Sequence, residues 1–258
     1  MTGDDITMTF DLEDVLGLTI ETKYLKNKNV VNEEGKIVPR VTAILSKMIE
    51  EPGIAQWANS LGLKHMSYSK EIDKICAIGS LVHEQINKFL LGEYINESIM
   101  TCGFLAFREW YNQVSQIGVQ VIGLEEQIIS QYYGGTYDAL LNIGGKTWLI
   151  DFKTSNKVGY KYFLQLAAYR KLLRELKGIN VDGCLILQVS KYHPAFLEYV
   201  ADLHYPPHLE YMDIAEKTFC SLVYGFYHTL YLEGRFKDEW PIDPKYLAQK
   251  KRPIEYTI

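Results

Sequence analysis

Two acidic residues and one lysine in the middle of the chain stand where neighbouring strands would bring them together. Asp151 and Lys153 end an apolar run that begins at Trp148, and residues two apart on a strand project from the same face. Asp138 lies on the other side of a Gly-Gly turn at 144–145, and hairpin pairing about that turn would place it opposite Asp151. Two adjacent carboxylates are what a hard divalent cation requires, so the spacing predicts a site for one or two Mg²⁺ or Mn²⁺ ions.

This arrangement has the parts needed to hydrolyse a phosphodiester bond. The reaction needs an activated water and neutralisation of charge in the transition state, and metal ions held by carboxylates can supply both. Lys153 adds a compact positive charge that can orient the water or stabilise developing negative charge. Asp151 and Lys153 by themselves would indicate only a surface salt bridge, so the hypothesis depends on the position of Asp138.

Basic residues are concentrated in and after the strand that carries Asp151. The whole chain has a net charge of −5, yet residues 146–177 contain eight basic and two acidic residues, a net charge of +6 that leaves −11 elsewhere. A local basic patch suits local phosphate contact better than wrapping of nucleic acid, and a solvated helix face is the equal alternative. The DNA contacts predicted in this region are Thr154, Ser155, Lys157, Lys161 and Arg170.

The remaining composition indicates a globular protein that needs no disulfide bonds or structural metal for its stability. Hydrophobic residues make up 47% of the 258 residues, enough to bury a substantial core. The four cysteines are scattered and form no CxxC, which argues against an iron–sulfur cluster and favours reduced, mostly buried thiols. The acidic N-terminus lacks the pattern of a signal or transit peptide, and no segment has the roughly 18 apolar residues of a membrane span. We therefore expect a cytoplasmic protein with no membrane partner.

Hydrophobic periodicity predicts a helical region followed by a sheet. Apolar residues recur at helical spacing through residues 41–116, and the period then changes to that of strands. The expected elements are strands within 19–24, helices beginning at 41 and at 53–61, 75–91 and 103–116, strands at 119–130, 136–143 and 146–153, a helix at 160–177, strands at 183–189 and 196–203, and a helix at 207–234. This order indicates an α/β fold with a mixed central sheet flanked by helices and an N-terminal helical subregion.

The elements GTYD at 135–138 and IDFKTS at 150–155 resemble the PD-(D/E)XK nuclease superfamily in its RecB-like branch. The resemblance implies that Asp138 and Asp151 bind the metal, with the backbone carbonyl of Phe152 as a further ligand, and that Lys153 serves catalysis.

The segment QLAAY at 165–169 resembles the Q-x-x-x-Y element of the same branch. It adds Gln165 and Tyr169 to the catalytic residues that the resemblance implies. Four residues apart, the two side chains would share one face of a helix.

Upstream, GSLVHE at 79–84 resembles the G-x-x-x-H element of this branch. The resemblance implies that His83 is a metal ligand, and it leaves Glu84 as an outer partner of the site. Glu126 stands where related nucleases often carry a glutamate. It is expected near the metal, on DNA or in a structural ion pair.

The segments VPRVTAIL at 38–45 and QWAN at 56–59 resemble elements of phage-type and mitochondrial genome-maintenance exonucleases. The resemblance makes Thr42 a candidate DNA contact. Arg40 stands where those proteins usually have serine, which puts a hydroxyl-to-phosphate contact at that position in doubt.

Taken together, the resemblance implies a restriction-endonuclease-like fold. Residues 1–38 would be an N-terminal appendage, and residues 39–258 one nuclease domain with a helical part (39–117), a catalytic sheet core (118–205) and a C-terminal helix and tail (206–258). The expected activity is that of a Mg²⁺- or Mn²⁺-dependent DNA exonuclease, acting on single strands or free ends in replication, recombination or repair. Its place would be a bacterial or phage-infected cell, where replication or recombination proteins are candidate partners.

Three alternatives stay open at this stage. An endonuclease or flap-cutting enzyme would use the same residues. A non-catalytic DNA-binding or assembly protein could share the fold, although carboxylates beside phosphate do not aid binding alone. A small-molecule hydrolase lacks support from any nucleophile elbow, phosphate loop or HExxH element.

Four aromatic residues could stack on single-stranded bases or belong to the core, namely Trp57, Tyr68, Tyr160 and Tyr162.

Overall fold

The computed structural model describes residues 29–233, so the strands expected within 19–24 and the tail beyond 233 lie outside the described residues. The helices are α1 Val41–Met48, α2 Pro52–Leu63, α3 Tyr68–Leu90, α4 Cys102–Val114, α5 Tyr160–Lys177 and α6 Pro206–Leu232. The strands are β1 Asn29–Val31, β2 Ile37–Pro39, β3 Val119–Leu124, β4 Gln127–Ile129, β5 Gly134–Thr136, β6 Ala139–Ile143, β7 Lys146–Lys153, β8 Gly183–Val189 and β9 Phe196–Asp202.

A five-stranded mixed sheet with the order β3-β6-β7-β8-β9 forms the centre of the structure. Strands β7 and β8 are parallel, because α5 crosses over between them, and the other neighbours are antiparallel. Two small ribbons, β1-β2 and β4-β5, lie outside this sheet. The α/β class and the mixed central sheet flanked by helices are as expected from the sequence.

The turn between β6 and β7 sets the register on which the sequence hypothesis depends. Gly144 and Gly145 both have positive φ angles, 59° and 83°, a conformation that glycine adopts without steric cost. The ladder pairs Ile143 with Lys146 and ends with Ala139 opposite Ile150. The next position along this register is Asp138 opposite Asp151, as the hairpin arithmetic predicts.

Strand β7 is buried on both faces, and its alternate residues enter two different cores. Leu149 belongs to a core cluster that contains residues of α5 and α6. Ile150 and Phe152 belong to the second cluster, with aromatic residues of α4 such as Phe107. Because side chains alternate along a strand, Asp151 and Lys153 project toward the α5 side.

The strands predicted at 119–130 and 136–143 are each broken in two. Glu125 has a φ of 44°, which is rare for a residue other than glycine, and its N–H donates to the carbonyl of Asp138. This turn ends β3 and directs β4 into a separate ribbon with β5. Periodicity alone missed the break because apolar residues continue on both sides of it.

The boundary expected at residue 38 does not separate an appendage from the domain. Val30 and Val38 of the β1-β2 hairpin are buried, and Arg40 forms a parallel bridge with Gly134 of β5. Residues 29–38 are thus part of the packed structure. Helix α3 also begins seven residues earlier than expected, at Tyr68, because its first two turns are mostly polar and gave little apolar periodicity.

No helix among residues 29–233 is long and apolar enough to cross a membrane.

Candidate functional site

Asp138 is fixed by the strand beside it. The backbone N–H of Phe152 donates to Asp138 Oδ2 at 2.7 Å, across the end of the β6-β7 hairpin. Asp138 lies one residue before β6 begins, so its side chain takes the place of a backbone acceptor that the ladder no longer supplies. The carboxylate is therefore held at the edge of the sheet, next to the position of Asp151.

Asp151 is buried and contacts two side chains. Lys153 donates to Asp151 Oδ1 at 2.6 Å, and the amide of Gln165 on α5 donates to the same oxygen at 3.1 Å. The other oxygen, Oδ2, is also 2.6 Å from Lys153 Nζ but is buried without a hydrogen bond. Asp151 therefore retains one oxygen with acceptor capacity unused by the described residues.

Burial determines the electrostatics of this pair. It raises the pKa of Asp151 to about 7, and the nearby Asp138 carboxylate adds to that rise while the Lys153 ammonium opposes it. The pKa of Lys153 is also raised: burial alone would lower it, but Asp151 and Asp138 together outweigh that effect. The lysine is held as a cation by the two carboxylates, and it also lies 5.1 Å from the ring centre of Tyr162.

Tyr169 reaches the site from the same face of α5 as Gln165, as the four-residue spacing predicts. It is buried, and its hydroxyl interacts with the backbone of Thr136. A Cβ on Gly135 would stand only 2.5 Å from that hydroxyl. The glycine of the GTYD element therefore makes room for the tyrosine of the QLAAY element, so these two parts of the sequence signature meet in space.

Helix α3 brings the histidine from the opposite side of the sheet. His83 Nδ1 is 3.8 Å from Asp138 Oδ2, and its ring packs edge-on against Phe152. One turn earlier, a Cβ on Gly79 would lie 3.2 Å from Thr154 Oγ1. Gly79 thus allows α3 to approach the end of β7 closely enough to place His83 beside Asp138.

Two acidic residues expected near the site are engaged elsewhere. Glu84 is exposed and pairs with Lys88 at 2.6 Å on the outer face of α3. Glu126 accepts from the Tyr137 hydroxyl at 2.8 Å and pairs with Lys177 at 2.5 Å. Of the three roles open to Glu126, the structure places it in the structural ion pair.

The basic patch at 146–177 is not a cluster of free cations. Seven of its eight basic residues form ion pairs, which are Lys146–Asp202, Lys153–Asp151, Lys161–Glu51, Arg170–Asp213, Lys171–Glu175, Arg174–Glu216 and Lys177–Glu126. Several partners come from distant segments, notably α6, and counting charges along residues 146–177 could not include them. The described residues give Lys157 no ion pair, and it is exposed.

Polar residues that follow Lys153 line a cleft of about 360 Å³ with the end of β8. Thr154 and Ser155 are two of them, and Gln188 donates to the carbonyl of Ser155 at 2.5 Å. The cleft is next to the carboxylates along the chain, because Thr154 directly follows Lys153. Thr42 is exposed on α1, and within residues 29–233 no recorded contact joins it to the carboxylates.

The aromatic residues considered for base stacking have different surroundings. Trp57 of α2 and Tyr68 of α3 pack edge-to-face, with ring centres 5.3 Å apart. Tyr160 is exposed at the start of α5, while Tyr162 faces Lys153. The sequence did not indicate that the ring of Tyr162 would lie against the Lys153 ammonium, because a spacing of nine residues carries no signal for that contact.

Asn87 is a further residue that the sequence analysis missed. It lies one helical turn after His83 and lines the same small cleft as His83 and Asp138. Its spacing of four residues from His83 was the available signal.

Among residues 29–233, no group of three or more His, Cys, Asp or Glu side chains is arranged to hold a metal ion. The four cysteines are free, and Cys184 is buried whereas Cys76 is exposed.

No protein-family model and no curated protein matches this chain. Among solved structures, the crystal structure of SSO0001 matches with a TM-score of 0.34 and 15% identity, over 81% of this chain and 85% of that one. A similarity at this level supports no argument about fold or function.

Proposed function

We propose that this protein is a metal-dependent deoxyribonuclease of the PD-(D/E)XK superfamily, working as an exonuclease in DNA replication, recombination or repair. One observation carries the proposal: Asp138, Asp151 and Lys153 meet at one end of the β6-β7 hairpin, where Gln165 arrives from α5 and His83 from α3. Residues far apart in sequence converge there, and a salt bridge alone would not need them.

The donor set suits a hard divalent cation such as Mg²⁺ or Mn²⁺. Asp138 and Asp151 supply carboxylate oxygens, and the buried Oδ2 of Asp151 has only the Lys153 ammonium beside it, at 2.6 Å, so it can accept a further contact. His83 and the carbonyl of Phe152 are the further candidate ligands. When bound, the cation would supply a water of lowered pKa and neutralise charge on the phosphate.

The chain's own residues position the groups around that phosphate. The amide of Phe152 fixes Asp138 and the side chain of Gln165 fixes Asp151, so neither carboxylate has to reorganise during the reaction. Lys153 retains donors beyond those used on Asp151. Its ammonium can therefore contact a phosphate oxygen and stabilise the negative charge that develops there.

The choice of exonuclease rests on the resemblance of the segments at 38–45 and 56–59. An exonuclease requires DNA with free ends. An endonuclease or flap-cutting enzyme with the same site would not require them in the same way. A cytoplasmic setting in a bacterial or phage-infected cell belongs to the same proposal.

The test is degradation of end-labelled linear DNA, single- and double-stranded, by the full-length protein with Mg²⁺, with Mn²⁺ and with EDTA. We expect degradation with either metal, none with EDTA, and a loss of at least about a thousandfold in Asp151→Ala. Undiminished degradation by Asp151→Ala, or no degradation by the wild-type protein in either metal, would refute the nuclease assignment. Closed circular DNA cut as fast as linear DNA would refute the exonuclease part alone.

The same experiment addresses a non-catalytic DNA-binding protein on this fold. Such a protein would bind DNA equally in EDTA and in Mg²⁺, and Asp151→Ala would bind more tightly because a buried negative charge near phosphate is removed. A gel-shift assay in EDTA beside the degradation assay separates the two.

A further inference from the structure

A cleft the size of one water molecule lies beside Asp138, and Asp151 is not among the residues that line it. Its volume is about 10 Å³, close to the minimum that a water or a bare ion needs. The polar residues that line it are His83, Asn87, Glu125 and Asp138, and the rest of the lining is apolar.

The carboxamide oxygen of Asn87 is unsatisfied. Asn87 Oδ1 is buried and has no hydrogen-bond partner among the described residues. Leaving a polar atom in this state costs about 1–3 kcal/mol, which a protein tolerates where a ligand or water completes the site. Because Asn87 follows His83 by four residues, the two side chains share one face of α3.

We propose that Asn87 is a cation ligand, and that this cleft holds a divalent cation between Asn87 Oδ1, His83 and Asp138. The inference rests on the proposed function, because His83 and Asp138 belong to both sites. It adds a ligand and a cation position that the sequence signature does not contain.

The charges around the cleft favour a cation over a water. Asp138 Oδ2 is 3.8 Å from His83 Nδ1, and among the described residues the carboxylate of Asp138 accepts a hydrogen bond only from the amide of Phe152. Glu125 is a second acidic residue of the lining, and no lysine or arginine lines the cleft among the described residues. A cation would offset this negative charge and satisfy the lone pair of Asn87 together.

The donor types indicate which cation. A set of one imidazole nitrogen and several oxygens suits a transition metal better than Mg²⁺, which prefers oxygen and keeps much of its water. Mn²⁺ accepts both donor types and is paramagnetic. We therefore expect this position to bind Mn²⁺ more tightly than Mg²⁺.

The experiment measures Mn²⁺ binding to the full-length protein without DNA, from the loss of the free Mn²⁺ EPR signal. Asn87→Leu keeps the number and branching of the side-chain heavy atoms and removes the oxygen, and Asn87→Asp keeps an oxygen ligand. Glu84→Gln is the control, since Glu84 lies on the outer face of the same helix.

We expect Asn87→Leu to weaken Mn²⁺ binding at least tenfold, and Asn87→Asp and Glu84→Gln to bind Mn²⁺ no more weakly than the wild type. Because the leucine removes an unsatisfied buried oxygen, this variant should melt no lower than the wild type in EDTA. Unchanged Mn²⁺ affinity in Asn87→Leu would overturn the proposal, since it would leave a water in the cleft as the partner of Asn87.

If Asn87→Leu does not fold, Asn87→Asp decides the question. The added carboxylate should lower the melting temperature in EDTA and increase the rise that Mn²⁺ produces, relative to the wild type. An equal Mn²⁺-induced rise in both proteins would overturn the proposal.

These readouts are independent of catalysis. Mn²⁺ binding that depends on Asn87, in a protein that degrades no DNA, would sustain this inference and refute the proposed function. Metal-dependent degradation with unchanged Mn²⁺ affinity in Asn87→Leu would do the reverse.

Discussion

The side-chain amide of Gln165 donates to Asp151 Oδ1 at 3.1 Å, and both residues are buried. Helix α5 therefore holds the Asp151 carboxylate, near the end of β7, in one orientation. Asp151 needs such a partner because its other neighbour, Lys153, has a flexible side chain that does not fix the direction of the carboxylate by itself.

Replacing Gln165 with methionine should impair catalysis without unfolding the protein. Methionine has a similar volume but cannot donate, so Asp151 loses its orientation while the packing of α5 is retained. We expect kcat on linear DNA to fall about 10- to 100-fold and Mn²⁺ affinity to weaken, with little change in KM. Gln113→Met, at an exposed position of α4, is the control. If kcat and Mn²⁺ affinity both stay at the wild-type values, Gln165 has only a packing role.

The contact between Gly135 and Tyr169 predicts a rescue. Gly135→Ala places a methyl group against the Tyr169 hydroxyl and should destabilise the protein by about 1–3 kcal/mol, as overpacking does. Adding Tyr169→Phe removes the clashing oxygen, so the double variant should recover part of that loss in urea denaturation.

The control for this cycle is Gly62→Ala, because a Cβ at Gly62 meets nothing within 4 Å. Alanine in the helix at that position should be neutral or stabilise by about 0.5–1 kcal/mol. Strict additivity of Gly135→Ala and Tyr169→Phe would contradict the contact.

DNA binding should depend most on the basic residues that form no ion pair with an acidic residue within the described part of the chain. Lys157 is exposed without an ion pair, whereas Arg174 pairs with Glu216 at 2.6 Å. We expect Lys157→Ala to weaken binding and to reduce the slope of log K against log salt by about 1, and Arg174→Ala to change that slope little. Binding is measured by fluorescence anisotropy in EDTA at several salt concentrations. Equal effects of the two variants would mean that the ion pairs open when DNA binds.

The ion pair of Glu126 predicts a pH-dependent stability. Hydrogen bonds from Lys177 and then Tyr137 lower the pKa of Glu126 in the folded protein. A lowered folded pKa means that the stabilisation is complete above the unfolded pKa and is lost as pH falls through the folded value. Glu126→Gln should therefore melt below the wild type at neutral pH, and the difference should shrink as the pH falls below about 4.

Nuclease activity distinguishes this structural role of Glu126 from a catalytic one. We expect Glu126→Gln to retain activity at neutral pH within about twofold at a temperature where both proteins are folded, since a residue outside the site contributes little to the barrier. Exposed Glu109→Gln is the stability control. If Glu126→Gln loses more than tenfold in activity while its stability is that of the wild type, Glu126 takes part in the catalytic site.

The sequence was most informative where its signals were local. The glycine pair at 144–145 and the strand period predicted the hairpin register, whose continuation past Ala139 and Ile150 places Asp138 opposite Asp151. The four-residue spacing of Gln165 and Tyr169 fixed their common face on α5. Each of these follows from backbone geometry within a single element or turn, which does not depend on the rest of the fold.

What depended on distant segments was missed or misjudged. The breaks near Glu125 and Asp138 separate β4-β5 from the main sheet, and no change of period marks them. The β1-β2 hairpin was taken for an appendage because a short strand is recognised as core only when its partner is known. Likewise Lys161 and Arg170 were expected to contact DNA, and the structure pairs them with Glu51 and Asp213 from distant segments.

The sequence by itself therefore determined which residues could carry the chemistry: two carboxylates and a lysine in register across a turn. Only the tertiary structure decided their surroundings. Packing of α3 and α5 against the end of β7 brings His83 to Asp138 and Gln165 to Asp151, and it leaves Asn87 Oδ1 buried without a partner. Burial, pKa and charge neutralisation depend on every group nearby in space, whatever its distance along the chain, so residue types and spacing alone could not predict them.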